Sequence, residues 1–358
     1  MATLTHADQG SVTGGVDTHK HVHVAAVIDS VGRLLATAEF ATTSRGYRDL
    51  LAWMRDHGEL VAVGVEGCGS WGAGLSRHLT ASGVRVVEVN RPNRQNRRRR
   101  GKSDVIDAEA AARAVLAGDA RVTPQAQSGP VEAVRQLRVA RAGAMKARTA
   151  AANQLHSLCD TAPDAVRAQL VGLSLKRMVA IAERWRPGDD MTAEASARRA
   201  LRSVARRWRS LDDEARTLRS DIRAILNDIA PGLLAVHGVG DHTAGQLLVT
   251  AGDNPGRLNH EKSFAALCGS TPVAASSGKT RRHRLNRGGD RQANSALWTI
   301  VRTRMATHPP TIAYVNRRTA DGLSKPDIMR CLKRYVAREL FPLIRDITNT
   351  TTTNDSAA

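Results

Sequence analysis

Four carboxylates stand where they could act together on a phosphate. Asp17 ends the strand-like stretch VTGGVD, Glu66 ends LVAVGVE, and Asp104 and Asp107 lie three residues apart in KSDVIDAEAAAR. Residues at i and i+3 share one helix face. Gathered carboxylates repel and are costly to ionise together unless divalent cations neutralise them, as in two-metal phosphoryl transfer. Oxygen ligands of this kind suit Mg2+, the ion expected here, with Mn2+ as the alternative. Singly, each acid has an ordinary reading: Asp104 as a helix-dipole partner, Asp17 as a turn residue, Glu66 as an exposed acid. The joint placement is harder to explain that way. His19, His21 and His23 alternate along what reads as a strand, so they face one side as metal ligands would; a half-exposed strand explains them equally well.

The elements that must position these acids are legible from periodicity. Residues 12–17, 22–28 and 33–40 read as strands, with a turn at Asp29-Ser30-Val31-Gly32. A helix over 44–57, a buried strand over 60–65, a helix over 72–81 and a strand over 84–89 follow. This βββαβαβ order suits a mixed sheet covered by helices. Ser103 is a good N-cap for a last helix running to Leu116 before Gly118.

The chain has 358 residues and a formal net charge of +19, which calls for a polyanionic partner. Hydrophobic residues make up 42%, enough for real cores and against wholesale disorder. No apolar run reaches the roughly 18 residues of a membrane span. MATLTHADQG has neither a basic start nor an apolar stretch, so no secretory signal is expected. The cysteines Cys68, Cys159, Cys268 and Cys331 form no CxxC pair, which fits a reduced, cytoplasmic protein. None of the twelve histidines is followed three residues later by Arg, which removes the HxxR signal of a tyrosine recombinase. Aromatics are only 3%, too few for broad base-stacking platforms.

Two basic segments could hold a nucleic-acid backbone. RPNRQNRRRRGK contains Arg94, Arg97, Arg98, Arg99, Arg100 and Lys102 with no acid, directly before Asp104. The second, SSGKTRRHRLNRGGDRQAN, carries Lys279, Arg281, Arg282, Arg284 and Arg287 around one acid, Asp290. Ser276 and Ser277 precede its Gly278. A serine in a cationic loop could attack phosphorus, although most such serines are loop residues. Farther upstream, LLAVHGVGDHTAGQLL sets Gly238 and Gly240 between two apolar helical faces. That is the pattern of a helix-hairpin-helix whose turn approaches a phosphate, or of an ordinary glycine turn. Between about 130 and 230, strand signals vanish. Leu201, Val204, Trp208, Leu211, Ala215, Leu218, Ile222, Ile225 and Ile229 step alternately by 3 and 4, the seam of a self-associating or hairpin coiled coil, or of a helix packed in its own domain. Pro231-Gly232 stops that helix.

Taken together, GVDTHK, VEGCGSWG and KSDVIDAEAAARAV resemble the DEDD motif of transposases of the insertion-sequence one-hundred-ten family. LLAVHGVGDHTAGQLL and FAALCGSTPVAASSGKTRRHRLNRGGDRQANSALW resemble that family's C-terminal domain. The resemblance spans about residues 12–345 and implies a RuvC-like, RNase H-like α/β domain over 1–125, a helical coiled-coil region over 126–230 and a mostly helical transposase domain over 231–347. A disordered tail, 348–358, completes the expected organisation. The implied activity is DNA strand cleavage and transfer, with Asp17, Glu66, Asp104 and Asp107 holding Mg2+ and Ser277 as nucleophile. Double-stranded DNA of element ends and target, a non-coding guide RNA and a homo-oligomer, dimer or tetramer, are the implied partners. Two other classes stay open on the residues alone: a metal-dependent junction endonuclease that uses water, and an inactive architectural nucleic-acid-binding protein.

Overall fold

A computed structural model describes residues 10–89, 103–254, 258–274, 278, 283–284 and 286–355. The chain divides into two compact units, 1–127 and 128–358.

The first unit is built on a five-stranded sheet. Its strands are β1 (Ser11–Thr18), β2 (Val22–Asp29), β3 (Leu34–Ala41), β4 (Glu59–Glu66) and β5 (Val86–Val89), in the order β3-β2-β1-β4-β5. The β1–β2 and β2–β3 pairs are antiparallel, whereas β4 runs parallel to both β1 and β5. This is the mixed sheet that the element order predicts, and it is consistent with an RNase H-like domain. Helices α1 (Ser44–Arg55) and α2 (Ala73–Ala81) cover one face, burying Val16, Ala25, Val27, Val63 and Val65 against Leu50, Met54, Leu75 and Leu79. Helix α3 (Asp104–Leu116) covers the other, where Ala108 meets Val24 and Ala26. Strand alternation sorts β2 between the faces: odd residues go to α1 and α2, even ones to α3.

Small residues let α3 approach closely. A Cβ added at Gly15 would come within 2.1 Å of the Ala108 carbonyl oxygen and 2.4 Å of the Ala112 nitrogen, and one at Gly64 within 2.7 Å of the Ala111 carbonyl oxygen. Gly15 and Gly64 are register partners on the parallel strands β1 and β4. Two residues farther along the same pleat come Asp17 and Glu66, which therefore share the α3 face.

In the second unit, α4 (Gly129–Asp160) and α7 (Ala193–Ile229) are paired antiparallel, with α5 (Asp164–Arg167) and α6 (Leu175–Ala182) between them in sequence. Leu155 and Cys159 share a core with Leu201, Val204 and Trp208 at one end. Val131 and Val134 share another with Ile222 and Leu226 at the other end. The seam of α7 thus packs within its own chain. Ala205 and Leu226, outside the 3–4 pattern, are fully buried, while Leu211 and Leu218 are only partly so. A helix of 3.6 residues per turn drifts off a strict seven-residue repeat, and the buried stripe follows the drift.

Around the second core lie α8 (Pro231–Leu234), α9 (Asp241–Ala251), α10 (Glu261–Leu267), α11 (Arg291–Thr307), α12 (Pro309–Ala320) and α13 (Lys325–Asp355). That core joins residues on both sides of 230, from Val131 to Ile344, so the regions expected at 126–230 and 231–347 are packed together. Helix α13 runs to Asp355 where a disordered tail was expected. A short antiparallel pair, β6 (Val273–Ala274) and β7 (His283–Arg284), was not foreseen in the sequence. Among the described residues, no helix is long and apolar enough to cross a membrane.

Candidate metal centre and its surroundings

The acidic site forms where β1 ends and α3 begins. Ser103 caps α3, its Oγ accepting from the Ile106 N–H at 3.3 Å, which fixes the first turn that carries Asp104 and Asp107. At the end of β1, Thr18 donates its hydroxyl hydrogen to the Glu66 carbonyl at 2.8 Å and ties the two parallel strand ends together. Immediately after, the chain leaves the sheet at His19, so His19 and His21 belong to the turn into β2 and not to a continuous strand. This corrects the alternating triplet. His19 turns toward the acids, whereas His23 is fully buried and stacked on Tyr47 with ring centroids 5.7 Å apart.

His19 Nε2 lies 3.3 Å from Asp17 Oδ2 and 3.3 Å from Asp104 Oδ2. One ligand atom each from Asp17, His19 and Asp104 falls within a 4.8 Å span, close enough to surround one divalent cation. Asp17 is only 7% exposed. Burial pushes its carboxyl above the usual carboxylate range, His19 opposes this, and the charges of Asp104 and Asp107 add to it. Asp107 is buried one turn along α3. Asp107 and Glu66 are outside the three-residue group, although both lie on the elements that build it. The residues present fit a divalent metal: two hard oxygen donors, one of them the buried Asp17, and an imidazole. Trp71, 55% exposed in the turn after β4, places its ring 6.4 Å from that of His19.

Sequence reasoning did not place His19 among the site residues, because a half-exposed strand accounted for it. The usable signal was its position two residues after Asp17 at a strand end. Trp71 offered only the rarity of aromatics in this chain. The buried thiols of Cys68 and Cys268 are pushed up to about 11 and about 12 by desolvation, which leaves both inert as nucleophiles.

Arg94, Arg97, Arg98, Arg99, Arg100 and Lys102 lie outside the described residues, as do Ser276, Ser277, Lys279, Arg281 and Arg282. The β6–β7 pairing joins the two ends of the span that contains Ser277, through Ala274 opposite His283. Arg284 and Arg287 are exposed. Gly238 adopts φ +81° and packs against α11, where a Cβ would sit 3.2 Å from the Ile300 carbonyl oxygen. Gly240 precedes α9, and its N–H donates to Thr243 Oγ1 at 3.0 Å. The first helix of this turn has only four residues, and the start of α9 already carries the buried carboxylate of Asp241, paired with Arg219 at 2.7 Å. Arg138, Arg141 and His242 line a pocket of about 240 Å³ beside that pair.

A mixed sheet that sets Asp17 at a strand end beside Asp104 at a helix start is an arrangement compatible with phosphoryl-transfer proteins that use divalent metals. Residues 14–162 match the DEDD transposase family of IS110-type elements, described as a transposase. Residues 230–316 match the transposase IS116/IS110/IS902 family. A 43.6 kDa protein of insertion element IS110 from Streptomyces coelicolor is 31% identical over 149 residues, which are 40% of this chain and 36% of that protein. The matched stretch thus spans about a third of that relative's length. The chain belongs to the IS110 family of transposases.

Proposed function

We propose that the chain is a DNA transposase or recombinase that cuts and rejoins element and target DNA. The observation that carries this is the convergence of Asp17, His19 and Asp104 at one strand end. Asp17 and Asp104 would hold the metal, Mg2+ or Mn2+, with His19 beside them and with Asp107 and Glu66 on the same face. A divalent cation bound there would neutralise the scissile phosphate and ease attack on it. Around it, α3 and the β1 and β4 ends form a rigid frame, so the acids need little reorganisation to receive substrate. Trp71 offers an exposed ring to a base flanking the cut.

In the same reading Ser277 is the nucleophile. Its Oγ forms a bond to phosphorus as the bond from phosphorus to the leaving sugar oxygen breaks, and that oxygen takes up a proton. The hydroxyl of the incoming strand later reverses the exchange and frees the serine. One P–O bond is made for each one broken, so no nucleotide cofactor is required. A non-coding guide RNA would select sequence by base pairing, leaving the +19 chain to hold backbone and shape. Assembly as a dimer or tetramer belongs to the same reading.

The test is a denaturation-resistant protein–DNA adduct, trapped on element-end DNA in Mg2+ or Mn2+. It should form with wild type and Ser276→Ala and vanish with Ser277→Ala, while Asp17→Asn abolishes cleavage. Adducts that persist in Ser277→Ala remove the serine assignment. Full cleavage without any adduct would instead make the protein a junction endonuclease that uses water.

A further inference from the structure

A cleft of about 820 Å³ opens in the second unit between α13 and the segment after α10. Its wall from α13 presents Arg330, Lys333 and Arg334, at the i, i+3 and i+4 spacing that shares a helix face. Arg284 of β7 and Thr271 stand on the lining as well.

The charges of this cleft are unequally answered. Arg334 is held by Glu261 through an Nη2–Oε1 bond of 2.6 Å, and Arg330 is held by Asp327. Lys333 has no such partner: its Nζ donates at 2.9 Å to Asn294 Oδ1, a neutral carbonyl, and among the described residues no carboxylate lies within ion-pair distance. Yet Lys333 is only 6% exposed. Asn294 is itself locked, donating to the Cys268 and Gly269 carbonyls at 2.9 and 3.1 Å. An ammonium removed from water and left without a counter-ion is costly, and among the described residues only one of its three N–H donors is used. Burial, with Arg330 adding, pulls the Lys333 pKa below its usual value. Thr271 Oγ1 is buried on the same lining without a hydrogen-bond partner among the described residues. Arg284 is exposed and in no ion pair among those residues.

We infer that this cleft is a binding site for a phosphodiester backbone, with Lys333, Thr271 and Arg284 reaching its non-bridging oxygens. The cleft is too large for one small anion, and an unpaired buried ammonium, a free hydroxyl and an exposed guanidinium together favour a chain of phosphates. Tyr335, about half exposed on the α13 wall, adds a ring at the level of a base or sugar. This rests on the reading of the chain as a nucleic-acid enzyme and extends it to residues outside the acidic centre.

The full chain should be titrated with a labelled duplex of about 30 base pairs and with RNA of matching sequence, over a range of KCl concentrations. Lys333→Met and Arg284→Gln should each reduce the log–log salt slope by about one on the nucleic acid that occupies the cleft. A change confined to the duplex assigns DNA, and one confined to RNA assigns the guide. Inorganic phosphate should raise the melting temperature of wild type above that in chloride of equal ionic strength, and should not do so for Lys333→Met. Unchanged slopes on both probes, from variants that melt like wild type, overturn the site; Arg284→Gln, being exposed, keeps this decisive if Lys333→Met folds poorly. Should wild type bind neither nucleic acid yet gain Lys333-dependent stability from phosphate, the anion site stands and the recombinase reading falls; if both responses are missing, both fall.

Discussion

The imidazole of His19 sits midway between two carboxylates from different elements, 3.3 Å from Asp17 on β1 and 3.3 Å from Asp104 on α3. Among the described residues it is the side chain that bridges these two acids. With a cation bound, the same geometry makes His19 a ligand or an immediate neighbour. Asp17→Asn should abolish tight Mn2+ binding, and His19→Ala should weaken it by at least about tenfold. Calorimetric titration with Mn2+ measures both. Wild-type affinity in His19→Ala would mean that the imidazole only balances charge in the metal-free protein.

His23, four residues later, gives the first unit a pH dependence of its own. Neither ring nitrogen has a hydrogen-bond partner among the described residues, and burial, with His19 adding, drives its pKa down from 6.5 to about 4. The unfolded chain therefore takes up this proton first as pH falls. The associated stability is present in full above about pH 6.5 and is lost progressively down to about pH 4, in total about 3 kcal/mol. His23→Phe should keep the stack on Tyr47 and flatten that part of the profile. Urea midpoints measured between pH 6.5 and 4.5 decide the matter, and a slope equal to that of wild type would refute it.

Asp212 is a carboxylate in the middle of a helix pair. It is 4% exposed, lies between the two apolar cores that α4 and α7 share, and pairs with Arg148 across the interface and Arg216 on its own helix. Removing one side of a buried ion pair typically costs about 3–5 kcal/mol. Because the Arg148 side chain is 28% exposed and can reach water, Asp212→Ala should fall near the lower end, about 3 kcal/mol. The double change Arg148→Met, Asp212→Leu should recover most of it, as read from urea denaturation. A double variant as unstable as Asp212→Ala would show that the pair does more than fill the seam.

Much of this architecture could be read directly from residue patterns, and the misses have definite physical causes. Short β-prone apolar runs located β1, β2 and β4, and the Ser103 cap located α3, because both signals are local. The acids Asp17 and Asp104 could be named in advance because strand ends and helix first turns are recognisable positions. His19 was ambiguous because the alternation argument carried the strand through residues 19–21, where the backbone in fact turns. The heptads of α7 were visible but their partner was not, since α4 lacks an equally regular repeat and antiparallel pairing is a non-local choice. Lys333 carries no local mark at all: only the packing of α13 against Asn294 reveals it as a buried cation.

Gly15 decides whether the acidic centre can assemble. The α3 backbone approaches so closely that a Cβ at this position would overlap the Ala108 carbonyl oxygen at 2.1 Å, a contact that neither partner can relieve by changing rotamer. Gly15→Ala must therefore push α3 off the sheet or tilt it. Asp104 and Asp107 ride on that helix, whereas Asp17 rides on the strand two residues from Gly15, so any displacement opens the distance between the acids. The substitution should cost about 1–3 kcal/mol of stability through overpacking and, at temperatures where the protein is still folded, lower Mn2+ affinity and strand cleavage together. Gly14→Ala is the control. On the opposite face its Cβ would meet Met54 Sδ at 2.7 Å, the end of a flexible side chain that can move. Gly14→Ala should thus retain metal binding. Equal metal affinities in the two variants, measured by the same titration, would show that helix-to-sheet spacing does not govern the site.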